Sequence, residues 1–203
     1  MTARQASSVG IRKATPADTP GISSALADAF QTDPLLSWLV PDEETRTATN
    51  RAAFVLFLDE IGVHDEVWTT SDGTTGAALW VPPGRPPVDE ERAEQFITAM
   101  LAIPGAEPDR TGATFALLEE HHPTPPHEYL WFMGVIPAEQ GHGIGSALIA
   151  PVLERADRTG TPCYLEATSP RNRALWERHG FRAAAPVSVA GGPPLWPMWR
   201  TPA

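Results

Sequence analysis

From Gln140 to Ser146 the chain reads Gln-Gly-His-Gly-Ile-Gly-Ser, shortly after an apolar run from Tyr129 to Ile136 that stops at Pro137. That order predicts a strand, a glycine loop and a helix start. Glycines at alternating positions let the backbone turn with positive φ and aim several N–H groups into one concavity, where unpaired amides and the positive end of a helix dipole favour an anion. The chemistry on offer is phosphate binding. A P-loop is excluded, because Gly145 is followed by Ser146 and Ala147 and the only lysine of the chain is Lys13. The dinucleotide fingerprint does not match either: Ser146 stands where its third glycine belongs, and the turn sits late in the chain.

Gln140, Gly143 and Gly145 instead match the fixed positions of the acetyl-CoA loop of the GNAT acetyltransferases, which this stretch resembles. Downstream, Cys163 to Thr168 is similar to the next strand of that family, and Asn172 through Phe181 to its helix with a Gly-Phe ending. Within the superfamily the nearest resemblance is to the puromycin N-acetyltransferase branch. It is carried by Leu165-Glu166, Ser169-Pro170-Arg171-Asn172, Glu177-Arg178-His179-Gly180-Phe181 and the tail Gly191-Gly192-Pro193-Pro194-Leu195-Trp196.

The resemblance implies an α/β (α+β) GNAT fold: a mixed, mostly antiparallel sheet of six to seven strands, flanked by helices and splayed at the acetyl-CoA cleft. It implies that backbone groups of Met133 and Val135 bond the pantetheine amides. It also places the pyrophosphate on Gly141, His142, Gly143, Ile144, Gly145 and Ser146, with Gln140 at a fixed position of the loop and Asn172 reaching the pantetheine arm. The N–H of Val135 is the implied oxyanion donor. Trp176 departs from the pattern, since the family usually has a tyrosine there as acid for the leaving thiolate, a task an indole N–H cannot perform. Direct attack survives the loss: expelling a thiolate of pKa about 8.5 at neutral pH forgoes only about 2 kcal/mol.

The implied activity is acetyl transfer from acetyl-CoA, as cosubstrate and without a metal, to a primary amine of a small molecule such as an antibiotic or metabolite. A non-catalytic acyl-CoA-binding or sensor protein and a protein or peptide N-acetyltransferase stay open as alternatives. Among the carboxylates Glu166 is the candidate base, because it lies on the strand bordering the cleft, where a strand fixes a side chain better than a loop does. An ion pair with Arg171 or Arg173 is the alternative reading of Glu166.

The elements that must position these residues can be read from the rest of the chain. With 203 residues, 42% of them apolar, a sizeable core can form, and one domain over 1–203 is expected, with 1–8 flexible. No apolar run has the length of a membrane span and no signal peptide is evident at the start. The single Cys163 rules out an internal disulfide and is compatible with a reducing cytoplasm, where the protein is expected. A net charge of −10 argues against nucleic acid and would favour a cationic small molecule. Monomer and homodimer both stay open. Arginine outnumbers lysine 14 to 1, read as a GC-rich bacterial coding bias.

In chain order, Val9 to Ala14 predicts a strand and Thr15 or Asp18 a helix cap, with the helix running to about Phe30. Leu35 to Val40 is a short apolar segment. Asp42 opens a helix with Ala53, Phe54, Phe57, Leu58 and Ile61 on its core face, ending near Gly62. Val67 to Thr70 and Thr75 to Val81 predict a hairpin around Ser71-Asp72-Gly73. The segment 82–126 begins with a proline-rich linker and contains helices over Asp89 to Ile103 and Thr114 to His122, an insertion expected to line the acceptor side. His121, His122 and His127 lack zinc spacing and are read as solvated loop residues. Pro151 should kink the helix after the glycine loop. Cys163 reads as a small buried side chain, and Tyr164, Glu166 and Thr168 share the opposite face of their strand. Phe181 to Val189 and Trp196 to Arg200 are the closing strands, with Trp196 and Trp199 as packing residues.

Overall fold

A computed structural model describes residues 10–62 and 64–203. The expected flexible start at 1–8, and Val9 of the expected first strand, lie outside the described residues. Among the described residues seven strands form one sheet: β1 (Ile11–Lys13), β2 (Val67–Thr70), β3 (Gly76–Val81), β4 (Glu128–Val135), β5 (Cys163–Ala167), β6 (Arg182–Ala183) and β7 (Trp196–Arg200). Their order is β1-β2-β3-β4-β5-β7-β6, and every pairing is antiparallel except β4 with β5. Mixed, mostly antiparallel and flanked by helices, this is the sheet expected from the resemblance.

Seven α-helices accompany it among the described residues: α1 (Thr19–Ala29), α2 (Pro34–Leu39), α3 (Glu43–Gly62), α4 (Glu90–Leu101), α5 (Pro108–His121), α6 (Ile144–Thr159) and α7 (Pro170–Arg178). β3 is buried on both faces and shows how the layers divide. Its Ala77, Leu79 and Val81 enter a core with Leu26 of α1, Phe54 and Phe57 of α3, and Phe96 of α4, while Ala78 and Trp80 enter a second core with Leu148 and Val152 of α6 and Trp176 of α7. A strand sends successive side chains to opposite faces, so one apolar run feeds two cores.

Several boundaries differ from expectation for local reasons. Leu35 to Val40 is not merely an apolar segment but the body of a helix, because the Asp33 carboxylate accepts hydrogen bonds from the N–H groups of Leu35 and Leu36 and Pro34 occupies the first turn. The helix expected from Thr114 begins at Pro108, which again suits a first turn. The strand expected from Phe181 to Val189 shrinks to Arg182–Ala183, with only a single bridge between Val187 and Leu195 beyond it. α6 spans Ile144–Thr159 with Pro151 inside it and Gly160 as its C-cap, the end expected from sequence.

β4 carries an irregularity that the sequence does not announce. Leu79 pairs with Phe132 but Trp80 pairs with Leu130, so Trp131 is the extra residue of a bulge. Alternation therefore fails there. Tyr129, Trp131 and Phe132 all face the core of α1, α3 and α4, whereas Leu130 and Met133 face the other core. Phe132 meets Phe54 and Phe57 at centroid distances of 5.2 and 4.5 Å, and Trp131 meets Phe57 at 4.8 Å.

Candidate active site

β4 and β5 pair only at Glu128 with Cys163 and Tyr129 with Tyr164. Beyond that point the two strands part, and from Leu130 onward the edge of β4 facing β5 has no strand partner among the described residues. Backbone donors and acceptors along such an edge need partners, and a slender ligand with amides of its own can supply them. Met133 and Val135 stand on this stretch, with Val135 at its end.

The glycine loop closes the wider end of the gap. A short 3-10 turn over Pro137–Glu139 leads to Gln140, whose Nε2 donates to the carbonyl of Val135 at 3.0 Å and so folds the loop back onto β4. Gly141 and Gly143 have φ of +81° and +84°, a region in which a side chain is strained, although a Cβ at either position would meet nothing within 4 Å. Gly143 is the N-cap of α6 and brings no side chain to its first turn, so the amides opening that helix have no side-chain cap. A Cβ on Gly145 would stand 3.3 Å from the Met133 methyl carbon. Ser146 Oγ lies 3.0 Å from His179 Nε2, and Arg171 reaches Gln140 Oε1 at 3.4 Å. Burial, reinforced by Arg178 and Arg200, holds His179 below its ordinary pKa. His142 is exposed, 3.7 Å from a Glu139 carboxylate oxygen. An uncapped helix start, left-handed glycines and an arginine nearby fit a phosphate.

Asn172 sits in the first turn of α7 and donates from Nδ2 to Thr168 Oγ1 at 3.2 Å, while Thr168 Oγ1 donates to the Asp33 carboxylate. This chain of bonds ties α2 to the end of β5. Burial raises the Asp33 pKa against the pull of those bonds.

Glu166 pairs with neither arginine suggested by sequence. Arg173 pairs with Glu177 at 3.1 Å and Arg171 with Gln140, whereas the partner of Glu166 is Tyr129, whose hydroxyl donates to Oε2 at 2.9 Å. The other carboxylate oxygen, Oε1, is buried with no partner at hydrogen-bond distance among the described residues, as is the hydroxyl of Tyr164, which is still near enough to favour the charged form of Glu166. Desolvation outweighs the tyrosine contacts and pushes the Glu166 carboxyl up to about 7. A carboxyl poised near neutrality with one oxygen free can take a proton.

The histidine expectation needs correction. His121 is exposed, but His127 is buried and His122 half-buried, because the run Pro123 to Pro126 returns the chain across the start of β4. His127 Nδ1 donates to the Pro125 carbonyl at 2.7 Å, leaving Nε2 as a bare, buried acceptor. Its ring stands 5.4 Å from those of Tyr164 and Trp199 and 4.9 Å from that of His122. Desolvation, with the neighbouring His127, drives His122 down to about 4, so both rings are neutral at ordinary pH. Among the described residues no cluster of three metal-ligating side chains occurs.

These rings border a cavity of about 680 Å³. Its walls come mainly from the segment 82–126, with Val81, His127, Tyr129 and Trp131 completing them. Tyr129 thus touches both the cavity and Glu166. Trp176 lies elsewhere: it is buried in the core on the α6 and α7 side of the sheet, 5.9 Å from the Phe181 ring. The structure does not bring it to the face that holds Glu166. Cys163 is buried with its thiol pushed up to about 12 by desolvation, which suits packing and not nucleophilic attack. Tyr129, Tyr164 and His127 were missed by sequence reasoning. The shared strand face of Tyr164 and Glu166 was the available signal for the tyrosine on β5.

The family model described as acetyltransferase (GNAT) family matches residues 83–181. A structure described as histone acetyltransferase HPA2 and related acetyltransferase from Corynebacterium glutamicum is 28% identical, covers 96% of this chain and 97% of its own, and superposes with a TM-score of 0.70. Arylalkylamine N-acetyltransferase 2 from Aedes aegypti shares the fold at a TM-score of 0.59 and 14% identity, with 96% of this chain and 99% of that one covered. An uncharacterized N-acetyltransferase of Schizosaccharomyces pombe is 42% identical over 53 residues, which span 26% of this chain and 22% of that relative's length.

Proposed function

From the premise that the family model and the full-length structural match support an acetyl-transferring enzyme of the GNAT family, we propose that this chain acetylates a primary amine of a small molecule by direct attack on acetyl-CoA. The observation that carries the reading is Glu166: a buried carboxyl of pKa about 7, with one free oxygen, on the strand that parts from β4. The amine nitrogen bonds to the thioester carbonyl carbon, the C–S bond breaks, and CoA leaves as a thiolate. The proton of the nitrogen passes to Glu166, directly or through one water. The N–H of Val135 is assigned to the carbonyl oxygen, and the loop from Gln140 to Ser146 to the pyrophosphate. Met133 and Asn172 are assigned to the pantetheine arm.

The acceptor enters the cavity of about 680 Å³, in keeping with the mosquito fold relative that is named for an arylalkylamine. The finer kinship to the puromycin N-acetyltransferase branch belongs to this proposal, resting on the motifs from Leu165 to Phe181 and the tail from Gly191 to Trp196. A single domain, a reducing cytoplasm and a bacterial origin are proposed with it. Trp176, in the place of an acid-providing tyrosine and sealed in a core, favours one rival, a non-catalytic acyl-CoA-binding protein. Thiol release from acetyl-CoA with a panel of small amines tests the two: turnover of any amine supports transfer, and CoA affinity with no turnover supports the rival.

A further inference from the structure

Behind Trp131, Phe115 and Leu118, which also wall the larger cavity, lies a second cavity of about 80 Å³ between α2, α3, α5 and the bulge of β4. Among the described residues its lining contains no ionisable side chain. Four polar residues reach it. Thr49, Thr111 and Thr114 donate their hydroxyls to the carbonyls of Pro104, Glu107 and Arg110 at 2.8, 2.9 and 2.8 Å. The fourth is Asn50, only 1% exposed, and neither its Nδ2 nor its Oδ1 has a hydrogen-bond partner among the described residues. A buried carboxamide without a protein partner is costly, and a water, an ion or a ligand must complete it.

The cavity is held open by built contacts, not by loose packing. The Arg46 guanidinium donates to the carbonyls of Val40, Gln31 and Pro41 at 2.7, 3.0 and 2.9 Å, fixing the end of α2. Arg110 of α5 donates to the Trp38 carbonyl at 2.7 Å and stacks over the Trp38 ring at 5.1 Å. The Glu107 N–H donates to the Leu39 carbonyl at 2.9 Å. α2 is thereby pinned as a roof over Asn50.

We propose that this inner cavity is the specificity subsite of the acceptor, and that it takes a terminal carboxamide carried on an apolar arm. The inference rests on the acetyl-transfer reading above. Asn50 offers one free donor group and one free acceptor, and a carboxamide is the neutral group that answers both. An ammonium would supply donors alone and find no carboxylate in the lining. The volume admits a few heavy atoms, and the wall at Trp131 is shared with the larger cavity, which Tyr129 links to Glu166 through its hydroxyl.

The test uses ω-amino carboxamides of about three to seven methylenes against n-alkylamines and α,ω-diamines of matched length. Thiol release gives kcat/KM for the wild type, Asn50→Leu and Asn50→Asp, and calorimetry measures binding of the same compounds without acetyl-CoA. At its best length the carboxamide should exceed the alkylamine by at least about tenfold in the wild type, a ratio that falls to about one in Asn50→Leu. Asn50→Asp should move the preference towards the diamine, which keeps the proposal testable should Asn50→Leu fail to fold. Equal ratios in wild type and Asn50→Leu, or a wild-type preference for the diamine, would overturn it. Turnover without any dependence on residue 50 sinks the subsite and leaves acetyl transfer standing. Carboxamide binding that Asn50→Leu abolishes, with no turnover of any amine, sinks transfer and leaves the subsite standing.

Discussion

Glu166 is held by one hydroxyl where a solvated carboxylate would have several waters, and this imbalance sets its behaviour. Tyr129 stabilises the charged form, but desolvation is the larger effect and leaves the carboxyl at about 7. As a base it must be ionised, so turnover should rise with pH through about 7. Glu166→Gln, which keeps the volume, should abolish that limb and lower kcat by about 10² to 10⁴ with little change in CoA affinity. A pH–rate profile of the two proteins checks this, and a variant within a few-fold of wild type would return Glu166 to a packing role. The same shift has a sign in stability. A folded carboxyl pKa above its unfolded value favours folding fully below about 4.5 and loses that contribution as pH rises to about 7, by up to about 3 kcal/mol. His122 acts in the opposite direction, because its lowered pKa weakens folding as pH falls from about 6.5 to about 4. The useful measurement is therefore the denaturation difference between wild type and Glu166→Gln, which should grow in favour of the variant as pH rises across that window.

At the level of elements, the loop between β4 and α6 and the helix α2 each depend on one residue. Gly143 is the left-handed N-cap of α6, and Gly143→Val should weaken CoA by at least tenfold, since the strained turn can no longer present the first amides of the helix. Calorimetric titration with CoA measures it, and unchanged affinity would remove the loop from the proposed site. Asp33 caps α2 with two N–H bonds and accepts a third bond from Thr168 at the end of β5. Asp33→Ala should cost about 1–2 kcal/mol in denaturant unfolding and loosen the roof over Asn50. Both elements were legible in part. The glycine spacing announced the loop, and Asp33-Pro34 carried a helix-start signal that the short apolar run behind it obscured.

Across the whole molecule, Arg155 of α6 joins distant parts of the sheet. Its guanidinium donates to both carboxylate oxygens of Glu128, at 3.0 and 2.9 Å, and to Glu66 at 2.7 Å, just before β2 and at the start of β4. Glu66 and Glu128 are buried, and desolvation raises the Glu128 pKa despite this pairing. Arg155→Met keeps much of the stem but strands the Glu128 carboxylate and leaves Glu66 with only the Trp68 indole and Lys13, and should destabilise by about 3–5 kcal/mol at neutral pH. The loss should shrink as the medium is acidified and Glu128 takes up a proton. Urea titrations at two pH values would reveal it, and a pH-independent loss would show that the packing of the stem, and not the charge, is what matters.

Sequence alone determined whatever is written in local spacing. Alternating glycines after an apolar strand dictate a left-handed turn into a helix start, and the period-two pattern of Tyr164, Glu166 and Thr168 dictates a shared face, because both follow from backbone sterics within a few residues. Tertiary structure decided what depends on partners far along the chain. The bulge at Trp131 exists only in the register of β3 against β4, and it turns two successive aromatic side chains to one face. Glu166 meets Tyr129 and no arginine because the parallel pairing of β4 with β5 sets that neighbour. His127 is buried because a proline-rich return lays it on Tyr164 and Trp199. The unpaired state of Asn50 depends on four separate elements closing around it, and no spacing within α3 records a bond that is not made.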